Sequence, residues 1–335
     1  MQIHVLSTRK PRLSPESLSL LVRRQEAIAQ ISLGADTWHM PAAERRDRLR
    51  WSRHSWEELA ADADKSVAKL QQFGIRVNEA SRFMSYRRIL KAIAEHDRSA
   101  TQSATEISLA HQAVFEVQEL VRILDAIDRT ANQASWLIKL EIAVNGPPLI
   151  EDERRTSIAR DTQFELCVAS LATAGGLDVQ LSEPDILLGR GPSEAGIAAK
   201  RVTSQSQLRK RIKQAAAQVA RTEKPGFICL DLSLITHPRE GFLQVGIPAQ
   251  ASTKVKADAD SLCFECRREL LRMHSRIRRY VIAVLVHVAC IYRRADSTAF
   301  GIAQRWSIGT LLTSEDPRNA VLTQLYHGLE AGLTS

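Results

Sequence analysis

The stretch EPDILLGRGPSEAGIAAKRV, residues 183–202, reads as two short strands joined by a loop rich in Gly, Pro and Ser. An Asp follows a proline at the start of the first strand, and a Lys stands near the end of the second. Side chains alternate along a strand, so position 198 and Lys200 share one face while Ile197 and Ala199 share the other. If the two strands are neighbours, Asp185 reaches the same spot as Lys200. Taken singly, each residue has an ordinary reading: Pro-Asp starts turns, and a Lys at a strand end is usually solvated. Their order along the chain is what points to chemistry.

Upstream, residues 156–174 read as a helix stopped by Gly175 and Gly176. Phe164, Cys167, Val168 and Leu171 form its buried stripe and leave Glu165 at the margin. LDVQL, residues 177–181, adds a further short strand. Downstream come a basic helix at 204–221, a strand in PGFICLDLSLI (225–235) and a helix near 257–278. The apolar run YVIAVLVHVACIY at 280–292 is rich in β-branched residues and too short to cross a bilayer as a helix, so it reads as a buried strand. Helix, three strands, helix, strand and more beyond make residues 151–335 a mixed α/β domain.

The first part of the chain has a different grammar. SPESLSLLVRRQEAIAQISL (14–33) opens with a helix-start signal, and residues 103–144 carry apolar side chains at spacings of three and four. Ile107, Val114, Val117, Val121, Leu124 and Ile127 fall on one stripe. Residues 1–150 are therefore expected to form an all-helical domain, with NGPPLIEDERR (145–155) as the boundary. Such bundles serve as scaffolds, dimer interfaces, partner-binding surfaces or DNA-contacting surfaces, and the pattern does not choose among them.

A chain of 335 residues with 44% hydrophobic and 25% charged residues is an ordinary globular protein with room for two domains. Its net charge of +8 and pI near 9.4 suit a polyanionic partner. Five cysteines, an odd number, suit a reducing cytoplasm and argue against a disulfide framework. The opening MQIHVLSTRKPRL has its basic residues after a short apolar run, the reverse of a signal peptide. A cytoplasmic protein without a membrane partner is the expectation.

Asp185, Lys200, an acid two residues before that Lys and a helical acid such as Glu165, gathered around one point, would suit phosphodiester cleavage. Carboxylates hold a divalent metal through hard oxygens, and an ammonium steadies the nucleophile or the crowded phosphate. RDTQFELCVASLATAGGLDVQLSEPDILL, followed by GIAAKRV and the helix QLRKRIKQAAAQV, resembles the PD-(D/E)xK nuclease superfamily over roughly residues 155–292. That resemblance implies a restriction-endonuclease-like mixed sheet core flanked by helices, with Mg²⁺ or Mn²⁺ as cofactor. It makes Asp185 the first metal ligand, Glu165 the helical acid and Lys200 the catalytic lysine. Gln214 or Gln218 would be a supporting polar group near the nucleic-acid backbone. DNA is the substrate implied, with RNA not excluded, in a bacterial restriction or anti-phage effector.

The motif departs from the family at Ala198, where an Asp or Glu is expected two residues before the lysine. Losing that carboxylate should leave the chain nearly inactive. A natural pseudo-nuclease that binds nucleic acid and a silenced enzyme whose glutamate has been replaced are the two explanations; the second is favoured because every other expected group is present. Substitution of the role by Glu194 is disfavoured, because that residue lies in the loop. An interaction protein unrelated to phosphate is the remaining reading.

Arg201, Arg209, Lys210 and Lys213 lie beside the motif and are expected to contact phosphates. The run at 266–279 would extend that surface, and ERRDRLRWSRHSW adds Arg45, Arg46, Arg48, Arg50 and Arg53 with Trp51 and Trp56 as stacking platforms or core residues. Cys263, Cys266 and His274 lack a fourth zinc ligand at suitable spacing. His287 and Asp231 in apolar strands read as hydrogen-bonded core residues. GRGPSEAG lacks the Lys-Ser/Thr ending of a phosphate-binding P-loop.

Overall fold

The computed structural model describes residues 51–95, 103–149, 158–189, 194–236, 242–294 and 300–333. In chain order they form β1 (Trp51–His54), α1 (Trp56–Gln72), α2 (Arg82–Glu95), α3 (Ala104–Arg129), α4 (Gln133–Val144) and α5 (Ile158–Ala174). Then come β2 (Val179–Ser182), β3 (Asp185–Leu188), β4 (Ala195–Arg201), α6 (Gln205–Arg221), β5 (Gly226–Asp231) and α7 (Ser233–Thr236). The chain continues through β6 (Leu243–Val245), α8 (Pro248–Leu271), α9 (Ser275–Arg278), β7 (Val281–Arg294), β8 (Phe300–Thr310) and α10 (Asn319–Gly332). α1 and α3 each start with a Ser-x-x-Glu capping box, Ser55 with Glu58 and Ser103 with Glu106.

The eight strands of the described residues join one mixed sheet in the order β1-β8-β7-β5-β4-β3-β2, with β6 on the far end of β7. β4, β5 and the first half of β7 run parallel, and the hairpins β2-β3-β4 and β7-β8 are antiparallel. Ile197, Ala199, Phe227, Cys229 and Leu285 point into one core, covered by α5 and the helices before it. Ala198, Val202, Ile228, Leu230 and Val286 point into the other, covered by α6 and α8. The two-residue alternation of the sequence thus fills both faces, as a sheet buried between helical layers requires.

α5 is the hinge of this arrangement, because it is buried almost all round rather than along one stripe. Gly176 ends it at φ 83°, the left-handed conformation that glycine adopts without strain. Gly175 lets α10 approach: a Cβ there would collide with the main chain of Gly328.

A chain of buried charges ties the helices to the sheet. Arg82 of α2 pairs with Glu116 of α3 at 3.1 Å, and Arg160 of α5 donates to the other oxygen of Glu116 at 2.6 Å. Gln163 accepts from Arg82 and donates to Glu119 at 2.6 Å. Arg201 of β4 then joins Glu119 to Asp231 of β5, donating to the latter at 2.8 Å. Arg201, Asp231, His287 and Trp306 occupy one register row across β4, β5, β7 and β8. Burial opposes the charge on Asp231, yet Arg201, His287 and Ser233 hold its carboxyl well below the usual range. Glu119 goes the other way: burial, Asp231 and Glu116 raise it against the pull of Arg201.

This network corrects the expected boundary between residues 150 and 151. The described residues from 51 to 312 and from 316 to 333 belong to one compact unit, because the apolar faces of α3 and α4 are sealed by α5, not by one another. The first part is also not all-helical, since Trp51–His54 pairs antiparallel with β8. Residues 14–33, Arg45, Arg46, Arg48 and Arg50 lie outside the described residues. The strand expected through residue 235 stops at Asp231, whose carboxylate accepts from the N–H and hydroxyl of Ser233 and starts α7. The helix expected near 257–278 begins already at Pro248 and ends at Leu271. Among the described residues no helix is long and apolar enough to cross a membrane.

Two stability outcomes follow from this packing. Arg201→Met strands two buried carboxylates, and chemical denaturation should show a loss of about 3–5 kcal/mol. Gly175→Ala forces α5 and α10 apart, lowering stability by about 1–3 kcal/mol in the same measurement. Wild-type stability in either variant would contradict the packing described.

Candidate active site

β3 begins directly after the turn at Glu183 and Pro184, so Asp185 emerges at the hairpin end beside β4. Its Oδ2 accepts from the Ala199 N–H and from Lys200 Nζ, both at 2.8 Å. Its Oδ1 accepts from Gln218 Nε2 of α6 at 2.6 Å, and the same amide also donates to the carbonyl of Pro184. Glu165 comes from α5, on the other side of the sheet, and its carboxylate lies 3.9 Å from Lys200 Nζ. Three sequence-predicted residues from three separate elements therefore converge, with Gln218 as a fourth. Gln214, the other amide proposed, lies exposed on α6.

A fifth residue was not expected. Lys139 of α4 donates to Glu165 at 2.8 Å and reaches the main-chain oxygen of Asp185 at 3.5 Å. Its signal in the sequence is a single ammonium inside the apolar helix WLIKLEIAV. Burial and the neighbouring charge of Asp185 push the Glu165 carboxyl up to about 6, against the opposing pull of Lys139 and Lys200.

Ala198 is fully buried in the core between the sheet and α6. The antiparallel register that pairs Ile186 with Ile197 sets it beside Asp185 on the next rung. At this position the side chain is a methyl group, which supplies no oxygen ligand.

The donor set does not fit a divalent cation. Both oxygens of Asp185 are engaged by three donors, and Glu165 is paired with Lys139. Two ammonium groups already balance two carboxylates, and no group of three metal-ligating side chains occurs among the described residues. The metal-ligand roles expected for Asp185 and Glu165 are replaced here by ion pairs. Glu194 pairs with Lys224 at 2.6 Å and does not join this cluster.

The basic surface also differs from expectation. Arg201 is buried, 4% exposed, and belongs to the charge network, so it is not a phosphate contact. Arg209 is exposed but paired with Glu269 at 3.1 Å. Lys210 and Lys213 are exposed on the outer face of α6 with no ion pair among the described residues. Trp56 packs on Phe300 with ring centroids 4.5 Å apart and is a core-edge residue, not a stacking platform. Cys263 and Cys266 are buried thiols of α8, the second pushed by burial up to about 12. His287 lies 3.4 Å from Asp231 and tilts against Trp306, while His274 caps α9.

Comparison of the chain with protein-family models, with curated proteins and with solved structures gives no match.

The raised carboxyl has a measurable sign. The native chain holds the Glu165 proton more tightly than an unfolded chain, whose carboxyl titrates near 4.5. Its contribution to stability is therefore present at low pH and is lost as pH rises through about 6. Relative to Glu165→Gln, the wild type should lose about 2 kcal/mol between about pH 4 and pH 7, read by urea denaturation. A pH-independent difference would place Glu165 in solvent.

Proposed function

We propose that this chain is a DNA endonuclease of the PD-(D/E)xK kind whose catalytic centre is silent because position 198 carries alanine. As it stands, it engages nucleic acid without cutting. The observation that carries this reading is the meeting of Asp185, Lys200 and Glu165 around one point, with 2.8 and 3.9 Å separating the ammonium from the two carboxylates. A structural strand has no need for a buried Asp against a Lys, a helical Glu and a glutamine amide.

The chain's own groups account for binding and for silence alike. Lys200 is held by Asp185 and does not project into solvent. The exposed ammonium groups of Lys210 and Lys213 are the phosphate contacts available nearby. Contacts of that kind give sequence-independent affinity that falls steeply with salt. Without a third acid to join the two present, Lys139 and Lys200 act as the resident counter-ions. The effector role suggested by the family resemblance would then be one of holding a target rather than destroying it.

The test is restoration. Ala198→Glu, incubated with plasmid and Mn²⁺ or Mg²⁺, should raise cutting on the order of 100-fold or more above wild type, and Lys200→Ala in that background should abolish the gain. Because position 198 is buried, Ala198→Asp is made as the smaller partner and both are checked by circular dichroism. Folded variants that neither cut nor bind DNA would overturn the proposal. In the unaltered chain, replacing Lys210 and Lys213 together by Gln should lower the slope of log affinity against log salt by about 2.

A further inference from the structure

A cavity of about 380 Å³ opens where α8, α9, the start of β7 and the end of β8 meet. Arg278, Arg279 and Arg318 stand around it, and Leu271, Val281 and Leu312 form its apolar wall. Among the described residues no carboxylate lines it. Arg278 spends one N–H on the carbonyl of Leu271 at 2.8 Å, and Arg279 spends one on the hydroxyl of Tyr280 at 2.7 Å. Arg318 is paired with Asp316 through two of its nitrogens, at 2.9 and 2.6 Å. Each guanidinium has five N–H donors, so all three keep donors in reserve. Neither Arg278 nor Arg279 has a carboxylate partner among the described residues, which leaves the cavity with about two unbalanced positive charges by this count.

The place is distinct from the Asp185 site. Val281 pairs with Gly226, and Gly226 pairs with Gly196, four residues before Lys200 on β4. The cavity therefore sits where the parallel strands begin, and Lys200 sits where β4 is about to end. Its size falls within the roughly 300–1,000 Å³ of small-molecule sites. Guanidinium forks match phosphate oxygens in pairs, and an apolar wall beside them suits a flat or apolar body.

We infer that this cavity binds a phosphomonoester carried on a body of about mononucleotide size, independently of the function proposed for Asp185 and Lys200. The group has two sources: a free mononucleotide, or the phosphorylated end of a strand.

Isothermal titration of the full chain with adenosine 5′-monophosphate and with adenosine reads the phosphate directly. 5′-phosphorylated and 5′-hydroxyl oligonucleotides of one sequence form the second arm. The phosphorylated member of at least one pair should bind about 10-fold or more tightly. Preference in the first pair assigns a free nucleotide, and preference in the second alone assigns a strand end. Arg279→Gln, an exposed position, should remove that preference, and Ser275→Trp should block it by filling the cavity with the arginines intact. Equal binding within both pairs would overturn the inference, as would a phosphate preference that survives both cavity variants in folded protein.

Discussion

Arg201 sets the terms for the rest of the molecule. One guanidinium, fully enclosed, bridges the carboxylates of Glu119 on a helix and Asp231 on a strand. A charge enclosed in this way is tolerable only when its partners are fixed, so β4, β5, α3 and α5 have little freedom to shift independently. That fixity is inherited by the neighbouring residue. Lys200 follows the same backbone, and its reach toward Asp185 is set by the strand that Arg201 anchors.

The same constraint explains how the cluster around Asp185 keeps its shape. Two carboxylates brought together in a half-dry site repel each other, and the raised carboxyl of Glu165 records that repulsion together with its burial. Lys139 and Lys200 answer it, each paired with one of the two carboxylates. Such a site is electrically quiet. Its positive charge is covalently attached to the chain.

Much of this was legible in the residues, and what was not has physical reasons. The three strands at 177–202 and the helices on either side declare themselves because each has a clear period and a Gly or Pro at its end. Asp185, Lys200 and Glu165 converge as their spacing suggested. β1 was hidden because WSRH is short and charged, and a strand of that kind owes its existence to a partner far along the chain. Arg201 looked like one more surface cation, since sequence does not tell a solvated arginine from one clamped between acids. Lys139 belongs to a helix more than 40 residues from the motif, and only tertiary packing brings it there. The misplaced boundary at residue 150 has the same origin: Gly-Pro-Pro does break a helix, but the apolar faces on both sides of it meet again.

The contact between Gly175 and Gly328 bears on how the protein is made. α5 carries Glu165, and its outer cover is completed by Leu322, Leu325 and Leu329 of α10. On a ribosome, residues 158–201 emerge long before residues 319–332. The helix that carries Glu165 therefore gains its full apolar cover only after α10 has followed it out.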